Sequence, residues 1–409
     1  MQIETPRRLP SGFVRLGWST LSAQSAEQIG LAAAPLAAVL LLNAGPAETG
    51  LLQAAQTLPF LLFAIPAGLI VDRASRKGLM AGAELLRAAA LACILLLVFS
   101  STLSLPLLAA LGFVGALGTV CFTVAAPALV PALVPRPQLT RANRWLELAR
   151  SAAFVAGAPI GGAIVGWAGV PLAYALATAL ALMAAGLLVG IAEPSRELPP
   201  PRHPLHDLRE GLQFVSRHAL LRPIVMTAIV FNVSWFVLQA VFVAYAVRDL
   251  GVGATGVGLI LGTYGLGMFV GASAVPLIER YMPLGAMIVI GPFCGLLGAS
   301  LLLLTLWIPS GFLAAAGYFL FGCGPMIWTI TTISLRQSVT PQTMLGRVSA
   351  LVTTGTTGAA PVGALLGAFL AAHWGVAACL AVAVVGFAGQ FAIIAASRVP
   401  QLEALPEPA

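Results

Sequence analysis

The stretch Gly68-Leu69-Ile70-Val71-Asp72-Arg73-Ala74-Ser75-Arg76-Lys77 is a burst of charge between two long apolar runs, and its reading decides the fold. Leu51 to Val71 before it is almost wholly apolar, and Gly78 to Phe99 after it is apolar apart from Glu84 and Arg87. Each run reaches the ~20 residues that carry a helix across a bilayer. The decapeptide is therefore a tight turn between two membrane-spanning helices. Its three cations, Arg73, Arg76 and Lys77, select the cytoplasmic side by the positive-inside rule. Cations gather in any such turn, but the acid does not follow from that rule. Asp72 falls at a helix C-terminus, where the macrodipole disfavours negative charge, so it needs a partner such as an arginine or a facing helix N-terminus.

The rest of the chain repeats this pattern. Of 409 residues 59% are hydrophobic and 9% charged, against about 25% charged in ordinary soluble proteins. A soluble globule is excluded, and the partner the composition demands is the lipid bilayer. The net charge of +7 would point to nucleic acid in a soluble protein; here the cations lie in short loops and report topology. Apolar runs give about twelve spans, from Val14–Leu42 at the start to Val348–Ala372 and Val376–Ala396 at the end. Cations fall in alternate loops, whereas the opposite loops hold only Arg248, beside Asp249. Both termini are therefore expected in the cytoplasm. The five cysteines lie inside apolar runs without paired spacing and the four histidines are scattered, so no disulfide, metal site or cofactor is expected.

The longest polar segment, Glu193 to Arg222, follows span six and divides the chain. The expected organisation is a six-helix half at residues 1–192, a cytoplasmic linker at 193–222 and a second six-helix half at 223–409. Within the linker, Leu205, Leu208, Leu212 and Val215 recur at helical spacing, which predicts an amphipathic helix at the membrane surface. Gly157-Ala-Pro-Ile-Gly-Gly-Ala-Ile-Val-Gly166 in span five is echoed by Gly358-Ala-Ala-Pro-Val-Gly-Ala-Leu-Leu-Gly367 in span eleven. Repeated halves of this kind are the architecture of secondary transporters.

Gly68, Asp72, Arg73, Arg76 and Lys77 fall on the positions of a loop signature, with Ser75 where its second glycine usually stands, and the chain resembles the major facilitator superfamily on that ground. Asp207 to Val215, Arg217 to Arg222 and Leu345 to Ala350 extend the resemblance to bacterial exporters of the macrolide-efflux and enterobactin-exporter type. The resemblance implies an all-α polytopic fold of about twelve helices in two pseudo-symmetric halves, in a bacterial inner membrane. It also implies a central cavity lined by spans one, four, seven and ten. On those spans the polar and aromatic candidates for contacting substrate are Gln24 and Gln28, Phe122, then Asn232, Trp235 and Gln239, and finally Trp328, Thr329 and Thr332. A mostly apolar cavity with sparse hydrogen-bonding groups suits a bulky, partly hydrophobic molecule.

Two charge pairs at i, i+3, Glu84 with Arg87 and Glu147 with Arg150, each place both charges on one helix face. Near the cytoplasmic interface they would join Asp72 and loop arginines such as Arg347 in a network that cross-links helix ends or gates the inner face. Glu27 lies deeper, ~20 Å into span one at 1.5 Å per residue. An ionisable group at that depth is a candidate functional site, here for proton coupling. The expectation is a monomeric, proton-coupled exporter of a small drug-like, macrolide or siderophore-like molecule, not an enzyme. An uptake or facilitated-diffusion carrier of the same fold is the alternative, and a membrane-embedded transferase would need a catalytic cluster that the scattered histidines do not form. No nucleotide-binding motif is present, which excludes ATP drive within this chain.

Overall fold

A computed structural model describes residues 9–135, 138–193, 204–341 and 344–406, apart from the side chains at 64–65, 68–69, 72–73, 127–128, 139–141, 143–144, 147, 204–208, 345–346 and 350. The helices are α1 (Ser11–Leu42), α2 (Pro46–Arg73), α3 (Arg76–Phe99), α4 (Leu105–Leu133), α5 (Leu139–Ala168), α6 (Val170–Val189), α7 (Pro204–Arg217), α8 (Leu221–Arg248), α9 (Ala254–Ile278), α10 (Leu284–Leu304), α11 (Gly311–Val339) and α12 (Leu345–Ala395). No strand occurs among the described residues. In hydrocarbon every backbone polar group must bond within its own segment, which is why apolar runs of this length become helices. Among the described residues ten helices are long and apolar enough to span a membrane. Among these α12 counts once, although Gly375 breaks it at φ 76°. Its two arms and α2 complete the twelve spans expected from the sequence.

Contacts gather the chain into two compact units, Met1–Leu42 with Ala55–Pro201, and Asn43–Ala54 with Arg202–Ala409. The same packing pattern recurs in each. In the first, α1 lies against α5, and α3 against α4 and α6. In the second, α8 lies against α12, and α10 against α11 and α12. The close helix pair is built the same way in both. A Cβ at Gly157 or Gly161 of α5 would press on Gln28 or on Ile29 and Ala32 of α1. A Cβ at Gly363 or Gly367 of α12 would press on Val233 or on Val237 and Ala240 of α8. Small residues four apart let backbones approach where no water drives them together.

The two helix joints also match, since Gly169 and Gly375 both take positive φ, at 84° and 76°, a conformation that only glycine adopts without strain. Gly157, Gly161 and Gly169 thus correspond to Gly363, Gly367 and Gly375 at one constant offset. That offset is larger than the one at which the sequence echo reads. The echo aligned Gly157 with Gly358, so the repeat exists but its register comes from packing and not from the string of glycines.

The segment after the sixth span folds back in each unit to close the exposed start of the third. In the first unit Glu193 accepts from the Arg76 and Lys77 backbone N–H groups at 3.0 and 3.1 Å. In the second, the Leu402 and Glu403 carbonyls accept from Gly285 and Leu284 at 2.8 and 3.2 Å. Both arrangements satisfy amide donors that a helix start leaves without partners. The amphipathic helix of the linker is present as α7. Its Val215 joins a buried cluster with Leu221, Ile224 and Ile288, and Glu210 pairs with Arg347 of α12 at 2.6 Å.

Gly363→Ala is expected to destabilise the protein, because the new methyl meets the Val233 carbonyl oxygen and backbone cannot move aside cheaply. Gly186→Ala, where nothing lies within 4 Å, should be neutral or gain up to about 1 kcal/mol from helix propensity. The temperature-dependent loss of monodisperse protein in detergent measures both, and equal behaviour of the two variants would refute the close-packing assignment.

Candidate functional site

Three features carry chemistry: a buried charge cluster and a capped loop in the first unit, and a cavity in the second. The charge cluster sits on α3. Glu84 is 0% exposed and Arg87 3%. Arg87 Nη1 lies 2.9 Å from Glu84 Oε1 and donates to Oε2 at 3.1 Å. The same nitrogen donates to the Ala23 carbonyl of α1 at 3.1 Å, and Nη2 donates to Thr119 Oγ1 of α4 at 2.7 Å. Thr119 comes within reach because its neighbour Gly118 lets α4 close on the Ala83 carbonyl. Glu27, on α1, is half-buried, receives a 3.3 Å hydrogen bond from Gln24 Nε2 and lies in the field of both Arg87 and Glu84. Two carboxylates and one guanidinium therefore share one region, with the Glu84–Arg87 pair buried and Glu27 half-buried.

This placement differs from the sequence reading, which set Glu84 and Arg87 near the interface. Arg87 is eleven residues into α3, ~16 Å at 1.5 Å per residue, and Glu27 is consequently not the one acid deep in a span. Arg150 is exposed on α5. The surroundings of Gly68 and the side chains of Asp72, Arg73 and Glu147 are outside what is described, so the expected network around Asp72 and the pair Glu147 with Arg150 rest on the sequence.

At the loop, Arg76 and Lys77 enter through their backbones. Ser75 is the N-cap of α3, accepting from Gly78 N, and its hydroxyl donates to Glu193 Oε2 at 2.6 Å. Burial pushes the Glu193 carboxyl up, but the bonds from Ser75, Lys77 and Arg76 and the Arg76 charge outweigh it, holding it below the ordinary 4.5. The sequence reading had Glu193 only as the first linker residue; the signal available was an acid just after span six and a serine at a helix start.

The cavity, about 360 Å³, lies wholly in the second unit among α8, α10, α11 and α12. It brings together four of the predicted residues, Asn232, Trp328, Thr329 and Thr332. Trp235 and Gln239 lie elsewhere on α8. Trp235 is buried among aromatic rings, 5.2 Å from Tyr264 and 4.9 Å from Phe321, and Gln239 accepts from the Tyr318 hydroxyl at 2.7 Å. In the first unit Gln28 is buried against Gly157. Phe122 is core, 2% exposed and packed with Phe13 and Leu16. Arg336, Gln390 and Thr227, which also line the cavity, were not singled out from the sequence. The positive-inside rule accounts for Arg336 as it does for any arginine near a span end.

Apolar spans in two repeated units, with charge and a polar-lined cavity enclosed among them, define a multi-pass membrane transporter. The chain belongs to the Major Facilitator Superfamily, whose profile matches residues 16–363. It is 23% identical over 332 residues to macrolide efflux protein A of Streptococcus pyogenes, covering 78% of this chain and 79% of that one. It is 29% identical over 264 residues to the enterobactin exporter EntS of Escherichia coli O1:K1 / APEC, covering 63% of this chain and 60% of that one. A variant of the nucleoside transporter NupG has the same fold, with a TM-score of 0.76 at 9% identity over 94% of this chain and 98% of that chain.

Glu193→Gln is expected to lower the melting temperature at neutral pH. A carboxyl whose folded value is depressed contributes above its unfolded value and loses that contribution as pH falls through the folded one. The gap between wild type and variant should therefore close in the acid range below 4.5. A gap independent of pH would show that the carboxylate charge at the α3 start contributes nothing.

Proposed function

We propose that the protein is a proton-coupled secondary exporter, which moves a small, partly hydrophobic molecule of drug, macrolide or siderophore-like kind by alternating access between halves at 1–192 and 223–409. The observation that carries this reading is the charge cluster of Glu27, Glu84 and Arg87. A buried ionic group is costly unless paired, and one guanidinium pairs only one of two carboxylates. The cluster is neutral only with one proton on it. Loading that proton from one side and releasing it to the other as the helices rearrange is the elementary act of coupling, and conformational change supplies the alternation.

Export as the direction is supported by the names of the two relatives, an efflux protein and an exporter. The loop residues Gly68, Asp72, Arg73, Arg76 and Lys77, with Glu147, Arg150 and Arg347, form the proposed gate at the cytoplasmic face. In this reading both termini are cytoplasmic, the membrane is the bacterial inner membrane and the transporter works as a monomer. Asn232, Trp328, Thr329 and Thr332 contact substrate, while Phe122 and Gln28 hold helices together.

Compound-susceptibility profiling of cells with and without the protein identifies a transported compound, and inverted vesicles then read its gradient-driven flux. Glu27→Gln and Glu84→Gln should each reduce that flux to background while substrate binding persists. Undiminished proton-driven flux in both variants would eliminate the cluster as the coupling site.

A further inference from the structure

The cavity of the second unit holds an imbalance that helix packing does not account for. Four buried polar atoms without a hydrogen-bond partner belong to residues that line it: Thr227 Oγ1, Trp328 Nε1, Arg336 Nε and Gln390 Nε2. Thr227 and Gln390 are each 1% exposed. An indole N–H, a guanidinium N–H and an amide NH₂ can only donate, and the threonine hydroxyl can do either. Unsatisfied buried polar groups are rare in folded proteins and each needs an explanation. Here the four belong to residues around one cavity, from α8, α11 and the second arm of α12.

The charge is as unbalanced as the hydrogen bonding. Arg336 is half-buried and has no ion-pair partner, and no carboxylate lines the cavity among the described residues. Glu210 lies outside the cavity lining and is engaged, 2.6 Å from Arg347. The remaining lining combines an apolar stretch, with Leu221, Ile224, Val225 and Phe231, and neutral polar residues, Asn232 and Thr329, Thr332, Thr353 and Thr356. A cation with surplus donors beside an apolar wall complements an organic molecule that carries an oxyanion.

We propose that this cavity is a binding subsite for an organic anion, in which Arg336, Trp328, Gln390 and Thr227 receive a carboxylate or comparable oxyanion and the apolar wall receives the carbon skeleton. Charge-assisted bonds of this kind are about twice as strong as neutral ones. The role of the site in transport rests on the exporter reading; the binding itself does not. It implies that the transported molecule is anionic, or carries an anionic group, in the form that binds.

The test uses the full chain in lipid nanodiscs with no gradient, and titration calorimetry with benzoate against benzamide, which differ in charge but hardly in shape. Benzoate should bind at least about tenfold more tightly than benzamide. Arg336→Gln should abolish that preference, and Gln390→Leu should weaken benzoate several-fold. Thermal melting without ligand gives an independent readout. An arginine kept for a ligand is uncompensated in the empty protein, so Arg336→Gln should melt at the same or a higher temperature. Equal binding of the two probes by wild type, a preference retained in Arg336→Gln, or a melting temperature lowered by that substitution would each overturn the proposal. Failure of the exporter reading looks different: benzoate would bind as expected while vesicles showed no gradient-driven flux.

Discussion

A glutamate and an arginine packed side by side deep inside an apolar helix constrain everything around them. Removing one partner of such a pair costs about 3–5 kcal/mol, because the other is left charged in a medium that cannot solvate it. Further donors of the guanidinium therefore gain from acceptors nearby. The Ala23 carbonyl and Thr119 take one bond from each terminal nitrogen, which ties α1 and α4 to α3, and Gly118 makes the approach possible. The helix packing of the first unit and the electrostatics of its core are one problem with one solution. Glu27 then stands as the charge left over, and in the proposed mechanism that surplus is what a proton cancels.

The two units share a scaffold and divide the chemistry. Each joins its fifth and sixth spans through a glycine of positive φ, packs its fifth span on its first through a glycine pair, and closes the start of its third with the segment after its sixth. These are backbone devices, indifferent to what the side chains do. The charge pair of the first unit is on α3, whereas the second unit holds a cavity lined by α8, α10, α11 and α12. Division of this kind suits a transporter in which one half handles the driving ion and the other much of the cargo, as we propose.

The fold was legible because the bilayer enforces it. Length and apolarity decide that a run becomes a spanning helix, so the spans and the linker helix followed from the sequence directly. Rotation and depth were not legible. Phe122 and Gln28 lie on spans expected to line a cavity, yet both turn into packing interfaces, since which face of an apolar helix meets its neighbours depends on partners that one sequence does not specify. Glu84 and Arg87 looked peripheral because they follow a charged loop closely in sequence; at 1.5 Å per residue they are already deep. The register of the repeat misled for a further reason: in a chain with 43 glycines, short echoes arise from composition, whereas the true correspondence is carried by contacts and by positive φ. Arg336 was hidden by the positive-inside rule, which accounts for any arginine near a span end and so distinguishes none.

The central claim is that one proton resides on the cluster of Glu27, Glu84 and Arg87. Infrared difference spectroscopy between neutral and alkaline pH reads it directly through the C=O stretch of a protonated carboxyl group. We expect wild type to show such a band, sensitive to hydrogen–deuterium exchange, and the double variant Glu27→Gln with Glu84→Gln to lack it. Superimposable spectra from the two proteins would contradict the claim.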